Sequence, residues 1–360
     1  MHEDLYWLGF SAFSGVGPLR FQKLLTAFGS AKAAWDTSEK DLTIVLGAAL
    51  TAKFIIFRET FSLEAYAKKL SDKKISFLFQ KDTNYPQLLL EMSNAPFVLY
   101  CKGDVNLVST LEKSMAVVGT RKITHYGEEV TKLLTKQLVE QDFVIVSGLA
   151  LGVDAIAHQV TMDNDGKTIA VLGCGVDCCN PSINQAIYDK IIRNFGAVVS
   201  ESAFGNSVSK GMFPARNRII AGLSMGVLVT EGSEDSGALI TAQRALEIHR
   251  PVFAVPGPIT SSLSQGPLHL IQQGAHIVQS ADDILRMLQI DIRKVGQPAV
   301  KKIMSDIPEE QQIIALLEHE GLHVDDIVRS TGKSSEVIGS TLSMMEIKGL
   351  VVNRGGKFSL

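Results

Sequence analysis

The chain has 360 residues, 46% hydrophobic and 20% charged, with a formal net charge of −3 and a mean hydropathy of +0.16. That composition excludes a disordered polymer and provides enough chain for two to three domains. The near-neutral charge gives no general attraction to polyanions, so any nucleic-acid surface must be a local patch.

The N-terminal sequence MHEDLYWLGF has neither the basic nor the apolar region of a leader, and no run of 18 apolar residues occurs. A cytoplasmic protein without membrane insertion is expected. Residues 1–65 read as short helices, with apolar positions at helical spacing in LRFQKLLTAF. Gly15, Val16 and Gly17 sit between two of them. They form either a helix-hairpin-helix turn whose amides hold a phosphate, or an ordinary interhelix turn.

From residue 66 to 285 the pattern changes to short apolar runs separated by amphipathic helices: SFLF, FVLYC, MAVVG, FVIVSG, TIAVLG, GAVVS, GVLVTEG, VFAVPG and AHIV. Continuous apolar strands alternating with helices predict an α/β fold, a Rossmann-like doubly wound, mostly parallel sheet of about nine strands. In such a sheet the ligand site lies at the carboxyl ends of the strands. Residues 286–305 lose the strand rhythm and contain Gly296 and Pro298, as a linker does. Residues 306–360 give three helices and a hairpin, the order of a winged helix. This segment holds nine Asp/Glu against five Lys/Arg, and Glu336 and Glu346 fall on the would-be recognition helix, which favours a protein contact over a DNA reader.

Two cationic elements fall at the carboxyl edge of the sheet. In AVVGTRKITHYG, a strand runs into Gly119, Thr120 and Arg121 and then a helix, placing free amides, a hydroxyl and a guanidinium at one point. Residues 203–224, AFGNSVSKGMFPARNRIIAGLS, contain Lys210, Arg216 and Arg218 and no acid, with Phe213 placed to stack on a base. The alternatives are that Arg218 pairs with Glu201 or Glu231 and that Phe213 belongs to the core. Asp154, Asp177, Glu201 and Glu231 also gather at this edge, and His158 follows Asp154 by one helical turn. No nucleophile elbow or Walker loop accompanies them, so no catalytic set is assigned. Gly173 and Gly175 lack the third glycine of a dinucleotide fingerprint, and no cofactor is expected. Cys101, Cys174, Cys178 and Cys179 read as reduced thiols without the spacing of a metal site.

The ordered blocks GTRKITHYG, VSGLALGVDAIAH, VLGCGVD, VSESAFG, FPARNRIIAGLS, SGALITAQRALE, VFAVPG and LIQQGA resemble the DNA-processing protein A (DprA, or Smf) family of bacteria. Three positions depart from its usual pattern: Asn180 before Pro181, Leu268, and Gly232 after Glu231. The resemblance implies a small helical SAM-like domain over 1–65, a Rossmann-like DNA-binding core over 66–285 and a winged helix over 306–360. It further implies a non-enzymatic mediator that binds and protects single-stranded DNA and loads RecA recombinase on it during natural transformation, working as a homodimer. The family's basic pocket carries over to Arg121, Lys210, Phe213, Arg216 and Arg218, with Gly119, Thr120 and Asn217 beside them. A dimer edge is expected near Leu268, Ile271 and Ile277, where the run GPLHLIQQGAHIV would otherwise leave a sheet edge exposed. The alternative function is a nucleotide-binding hydrolase of the nucleoside monophosphate phosphoribohydrolase type. Its P-G-G-x-G-T-x-x-E signature is absent from TEGSEDSGALITAQRALE.

Overall fold

In the computed structural model, residues 3–206, 211–291, 307–317, 321–348, 350–354 and 356–359 are described. Six helices come first: α1 (Glu3–Ala12), α2 (Pro18–Phe28), α3 (Ala31–Asp36), α4 (Glu39–Leu46), α5 (Ala48–Thr60) and α6 (Leu63–Asp72). Their starts follow local chemistry, because the Ser30, Ser38 and Ser62 side chains accept hydrogen bonds from the Ala33, Asp41 and Ala65 amides. Pro18 opens α2 and Gly29, at φ 79°, closes it.

The core then alternates strands and helices: β1 (Ser76–Phe79), α7 (Gln87–Leu90), β2 (Val98–Gly103), α8 (Val105–Ser109), β3 (Ser114–Val118), α9 (His125–Glu140), β4 (Val144–Ser147), α10 (Val153–Asp163), β5 (Thr168–Val171), α11 (Gln185–Lys190), β6 (Gly196–Ser200), α12 (Met212–Gly222), β7 (Val227–Val229), α13 (Gly237–Glu247), β8 (Val252–Ala254), α14 (Gln265–Gln272), β9 (His276–Ile277) and α15 (Ala281–Met287). The nine strands form one sheet in the order β1-β2-β6-β5-β4-β3-β7-β8-β9. Only the β1–β2 and β2–β6 pairs are antiparallel. Side chains of β3 alternate between two apolar layers, Met115 and Val117 facing α9 and α10, Ala116 and Val118 facing α12 and α13. A strand buried on both faces can be apolar at every position, which is why the parallel strands read as unbroken apolar runs.

The order reverses at β3, which has β4 on one side and β7 on the other. A crevice therefore opens beyond the carboxyl ends of β3 and β7, the place where open α/β sheets bind ligands.

The chain divides into two compact units, Met1–Ile292 and Arg293–Leu360. The expected boundary at residue 65 falls inside α6, and apolar packing carries straight across it. Phe21 of α2 stacks on Phe97 before β2 at 4.0 Å between ring centres, and Trp7 of α1 meets Phe79 of β1 at 5.8 Å. The first helices and the sheet thus share a hydrophobic layer. The expected linker starts inside α15, and its residues 292–305 lie outside the described residues.

In the second unit, α16 (Pro308–Leu317), β10 (Leu322–His323), α17 (Val324–Thr331), α18 (Ser335–Ile347), β11 (Val352–Arg354) and β12 (Lys357–Ser359) form a winged helix with the sheet order β10-β12-β11. Ile313, Leu317, Ile327, Ile338, Leu342 and Met345 make its core. Glu336 and Glu346 are exposed on α18, the helix equivalent to a recognition helix.

Candidate nucleic-acid interface

The turn after β3 is shaped by close approach. A side chain on Gly119 would lie 2.5 Å from Val153 Cγ2 and 2.7 Å from the Glu231 carbonyl oxygen, so only glycine lets the chain pass. The Thr120 amide donates to the Glu231 carbonyl at 2.7 Å, and the Thr120 carbonyl accepts from the Val153 amide at 3.2 Å. The buried Glu231 carboxylate accepts from the Thr124 amide at 2.9 Å and the Thr124 hydroxyl at 2.6 Å. Thr124 in turn caps α9 through the Gly127 amide. This fixed loop carries Arg121 outward into solvent, where it forms no ion pair among the described residues.

Opposite stands α12. Its helical structure starts at Met212. Proline is tolerated in a first helical turn, so Pro214 does not delay it. Phe213 is therefore a first-turn residue, half-buried, and absent from the buried apolar clusters of the described residues. Its ring centre lies 5.6 Å from the Arg121 guanidinium carbon and 5.9 Å from that of Arg216. Arg121 and Phe213 separate two hollows. One, of about 520 Å³, is lined by Gly119, Thr120, Asn217, Ser236 and Thr241, while the other, of about 250 Å³, is lined by Gly148, Leu151, Asn180 and Pro181.

The remaining expected cations do not stand free at this mouth. Only 7% of the Arg216 side chain is exposed. Its guanidinium donates to the Gly148 and Val171 carbonyls, at the ends of β4 and β5, and to Asn217 Oδ1 at 3.1 Å. It also lies 4.0 Å from Asp154, whose carboxylate accepts from the Gly148 and Ala150 amides. Burial pushes Asp154 up from the usual carboxylate range while Arg216 and these amides oppose the shift. Arg218 points away from Phe213 and pairs with Glu201, the alternative weighed from sequence, beside a different hollow. Two helical residues span about 200° of rotation, so two arginines at that spacing cannot share a face. Asn217 bridges α12 to the start of α13 through the Gly237 carbonyl at 3.1 Å. Lys210 lies outside the described residues.

The carboxylates are likewise engaged: Asp154 and Glu231 hold loop amides, Asp177 accepts from the Gly205 amide at 3.1 Å, and Glu201 holds Arg218. His158 is fully buried against Thr168. Because the Thr168 hydroxyl spends its proton on the Ile145 carbonyl, His158 must donate from Nδ1, and its Nε2 has no partner. Burial, aided by Arg216, lowers its pKa to about 3. It is a neutral core residue. Among the described residues no cluster of side chains could hold a metal ion.

Sequence reasoning missed two supports of the mouth. Asn184 ties down the loop after β4 by donating to the Leu149 and Ala150 carbonyls at 2.9 and 3.1 Å. Ser236 caps α13 where it faces the larger hollow. The sequence signal for the second was available, a serine directly before a helical run.

At the expected dimer edge, β9 is the outermost strand and Ile277 is 54% exposed on it. Leu268 and Ile271 lie on α14, half-buried, with Ile271 packed against the core. No described helix is long and apolar enough to cross a membrane.

Comparison with known proteins agrees with this architecture. The family described as DNA recombination-mediator protein A matches residues 76–289, and the DprA winged helix domain matches residues 297–357. Protein Smf of Synechocystis sp. is 33% identical, over 98% of both chains. The DNA processing protein DprA of Streptococcus pneumoniae is 44% identical over 60% of this chain and 78% of its own. The X-ray structure of that pneumococcal protein superposes with a TM-score of 0.69 at 36% identity, covering 81% of this chain and 98% of the other. DNA processing protein A of Helicobacter pylori, whose structure was reported for its single-stranded DNA binding mode, gives a TM-score of 0.54 at 30% identity, covering 60% of this chain and 96% of the other. With its sheet, its winged helix and these relatives in agreement, the chain belongs to the DNA recombination-mediator protein A (DprA/Smf) family.

Proposed function

We propose that this chain binds single-stranded DNA at the mouth formed by Gly119, Thr120, Arg121, Phe213 and Asn217, and hands the strand to a RecA-type recombinase without catalysing a reaction. The observation that carries the reading is the Arg121–Phe213 pair: an exposed guanidinium with no carboxylate partner among the described residues, placed over a half-buried ring at the topological switch point. A guanidinium takes a phosphate and an aromatic face takes a base, so the pair matches one nucleotide of an unpaired strand. Lys210, in the acid-free stretch before α12, adds a second phosphate contact. The related Helicobacter pylori protein supports the choice of ligand. The family supports RecA loading, a role in natural transformation and a cytoplasmic place of work. Arg216 and Arg218 serve this site by holding α12, since each guanidinium bonds to a protein partner. Hydrolysis of nucleotides is disfavoured because Asp154, Asp177, Glu201 and Glu231 hold amides or arginine, and Asp235, which also lines the larger hollow, accepts from the Ser233 hydroxyl at 2.7 Å.

The exposed Ile277 on the edge strand supports a homodimer joined along β9, which would cover an edge otherwise open to aggregation. The acidic balance of residues 306–360, with Glu336 and Glu346 exposed on α18, suits a protein partner.

A titration of the full chain with labelled single strand and duplex at two salt concentrations tests the reading. It expects preference for the single strand and a salt slope lost in part by Arg121→Ala. Equal affinity for duplex, or wild-type binding by both Arg121→Ala and Lys210→Ala, would overturn it. Addition of RecA to strand coated with single-strand binding protein, with and without this chain, tests loading separately.

A further inference from the structure

Phe213 belongs to both hollows of the mouth, and the two differ in what lines them. Around the larger stand Thr120, Asn217, Ser236 and Thr241, all with hydrogen-bonding side chains. Around the smaller stand Ala150, Leu151, Pro181 and Phe213, with Asn180 the one neutral polar side chain and no carboxylate. Its volume, about 250 Å³, falls short of the roughly 300–1,000 Å³ of pockets that enclose a whole small-molecule ligand. It has room for one flat ring system.

The walls of this hollow are fixed without a ligand. Asn184 joins them: its amide donates to the Pro181 carbonyl at 3.1 Å, and its side chain donates to the Leu149 and Ala150 carbonyls at 2.9 and 3.1 Å. The Ala150 amide is held by Asp154 at 3.3 Å. At the back, the Arg216 guanidinium lies against Gly148, where any side chain would strike it. Two groups in the wall remain uncommitted. Leu151 is 41% exposed although it lines an apolar surface. The half-buried Asn180 carboxamide makes no hydrogen bond among the described residues, so its acceptor and its two donors are open to a ligand.

We infer that the smaller hollow receives one unpaired nucleobase, laid against Phe213, Leu151 and Pro181, and that Asn180 bonds to its Watson–Crick edge. The inference rests on the proposed single-strand site, and it names the residue by which that site tells an unpaired strand from a duplex. Arg121 cannot do so, because both forms carry phosphates. A base enters a hollow of this size only by leaving its stack, and its Watson–Crick edge is free only while it has no partner. Each of the four bases sets a donor beside an acceptor on that edge, as a carboxamide does, so Asn180 suits strands of any sequence. The contact selects the unpaired state and tolerates every base.

The test titrates the full chain with a labelled thymine oligonucleotide, an abasic oligonucleotide of the same length and a duplex, in wild type, Asn180→Leu and Leu151→Ser, with a melting curve for each. The abasic strand keeps every phosphate. Wild type is expected to bind the thymine strand about tenfold more tightly than the abasic one, within what one stacked base contributes. Asn180→Leu should lose about fivefold on the thymine strand, the worth of one hydrogen bond, and Leu151→Ser about threefold, for part of an apolar wall. Neither should move affinity for the abasic strand or the duplex by as much as about twofold, since no phosphate contact changes. Leu151 is the more exposed of the two, so Leu151→Ser carries the test should Asn180→Leu fail to fold. Wild-type discrimination in the folded variants, or equal losses on the thymine and abasic strands, overturns the hollow and leaves the Arg121–Phe213 site standing. Equal binding of the two strands by wild type means that no base is held, and overturns the hollow together with the base contact of Phe213. Wild-type affinity in Arg121→Ala overturns the phosphate contact of the site, a separate result.

Discussion

The guanidinium carbon of Arg121 lies 5.6 Å from the centre of the Phe213 ring, joining the turn after β3 to the first turn of α12. The two side chains can be removed one at a time with different consequences. Phe213→Ala leaves every charge in place, so it should cost about 1–3 kcal/mol of single-strand affinity with an unchanged salt slope. The ring is half-buried, so its loss should destabilise the fold by less than the roughly 3–5 kcal/mol of a truncated core ring. Arg121→Ala should shallow the salt slope by about 0.7 with an unchanged melting curve. Paired binding and melting curves check both.

Arg216 should behave in the opposite way. Its removal leaves Asp154 buried without its cation and two strand-end carbonyls without a donor. Arg216→Met is expected to destabilise the protein by about 3–5 kcal/mol, and Arg216→Met with Asp154→Asn to recover part of that loss, because the uncompensated charge is then gone. Urea unfolding of the two variants measures the recovery. Identical midpoints would mean that the charge is not what Arg216 supports.

Acid should expose His158. Its pKa is about 3 in the folded chain and about 6.5 when unfolded. Between these values the unfolded state binds the proton and the folded state does not. The contribution is therefore complete above about pH 6.5 and is lost as pH falls, by about 1.4 kcal/mol per unit toward pH 3. His158→Gln should remove that part of the slope of unfolding free energy between pH 6.5 and 4, read by urea titration at a series of pH values.

The sheet edge offers a comparison of two isoleucines, Ile277 on β9 and Ile271 on α14. Ile277 is exposed and Ile271 packs partly on the core. Ile277→Glu should give a folded monomer by light scattering with a melting temperature close to that of a wild-type monomer. Ile271→Glu should in addition lower the melting temperature, since it places a charge against apolar side chains. A monomeric wild-type protein at micromolar concentration would remove the basis for the comparison and for the dimer.

All nine strands of the main sheet were legible as apolar runs; burial on both faces is the reason for β3, β5, β6, β7 and β8, whereas β9, exposed at both residues, was legible because its run continues into the buried Val278. In the second unit the hairpin was expected, but β10 was not: it is two residues, Leu322 and His323, too short for any alternation to register. The shared layer between the first helices and the sheet was not legible at all. The spacing of Trp7 and Phe21 shows that they are inward, while their partners Phe79 and Phe97 lie dozens of residues away. At the site, Gly119, Thr120 and Arg121 stood where a strand-to-helix turn places them. Arg216 and Arg218 were placed together in one basic pocket because the stretch that carries them holds no acid. Once α12 begins at Met212, their spacing alone assigns them to opposite faces.

That spacing has a consequence for timing. Arg216 fastens α12 to the ends of β4 and β5 on one flank, and Arg218 fastens it to Glu201 on the other, bonds that oppose rolling or sliding of the helix beneath Phe213. If Phe213 is the platform proposed above, the backbone that carries it is in place before a strand arrives and need not be ordered on contact. Capture at this ring becomes an encounter problem, governed by diffusion and charge steering, with no slow internal rearrangement of α12 to wait for. Differences in affinity among strands of different sequence should accordingly appear in how long each one stays.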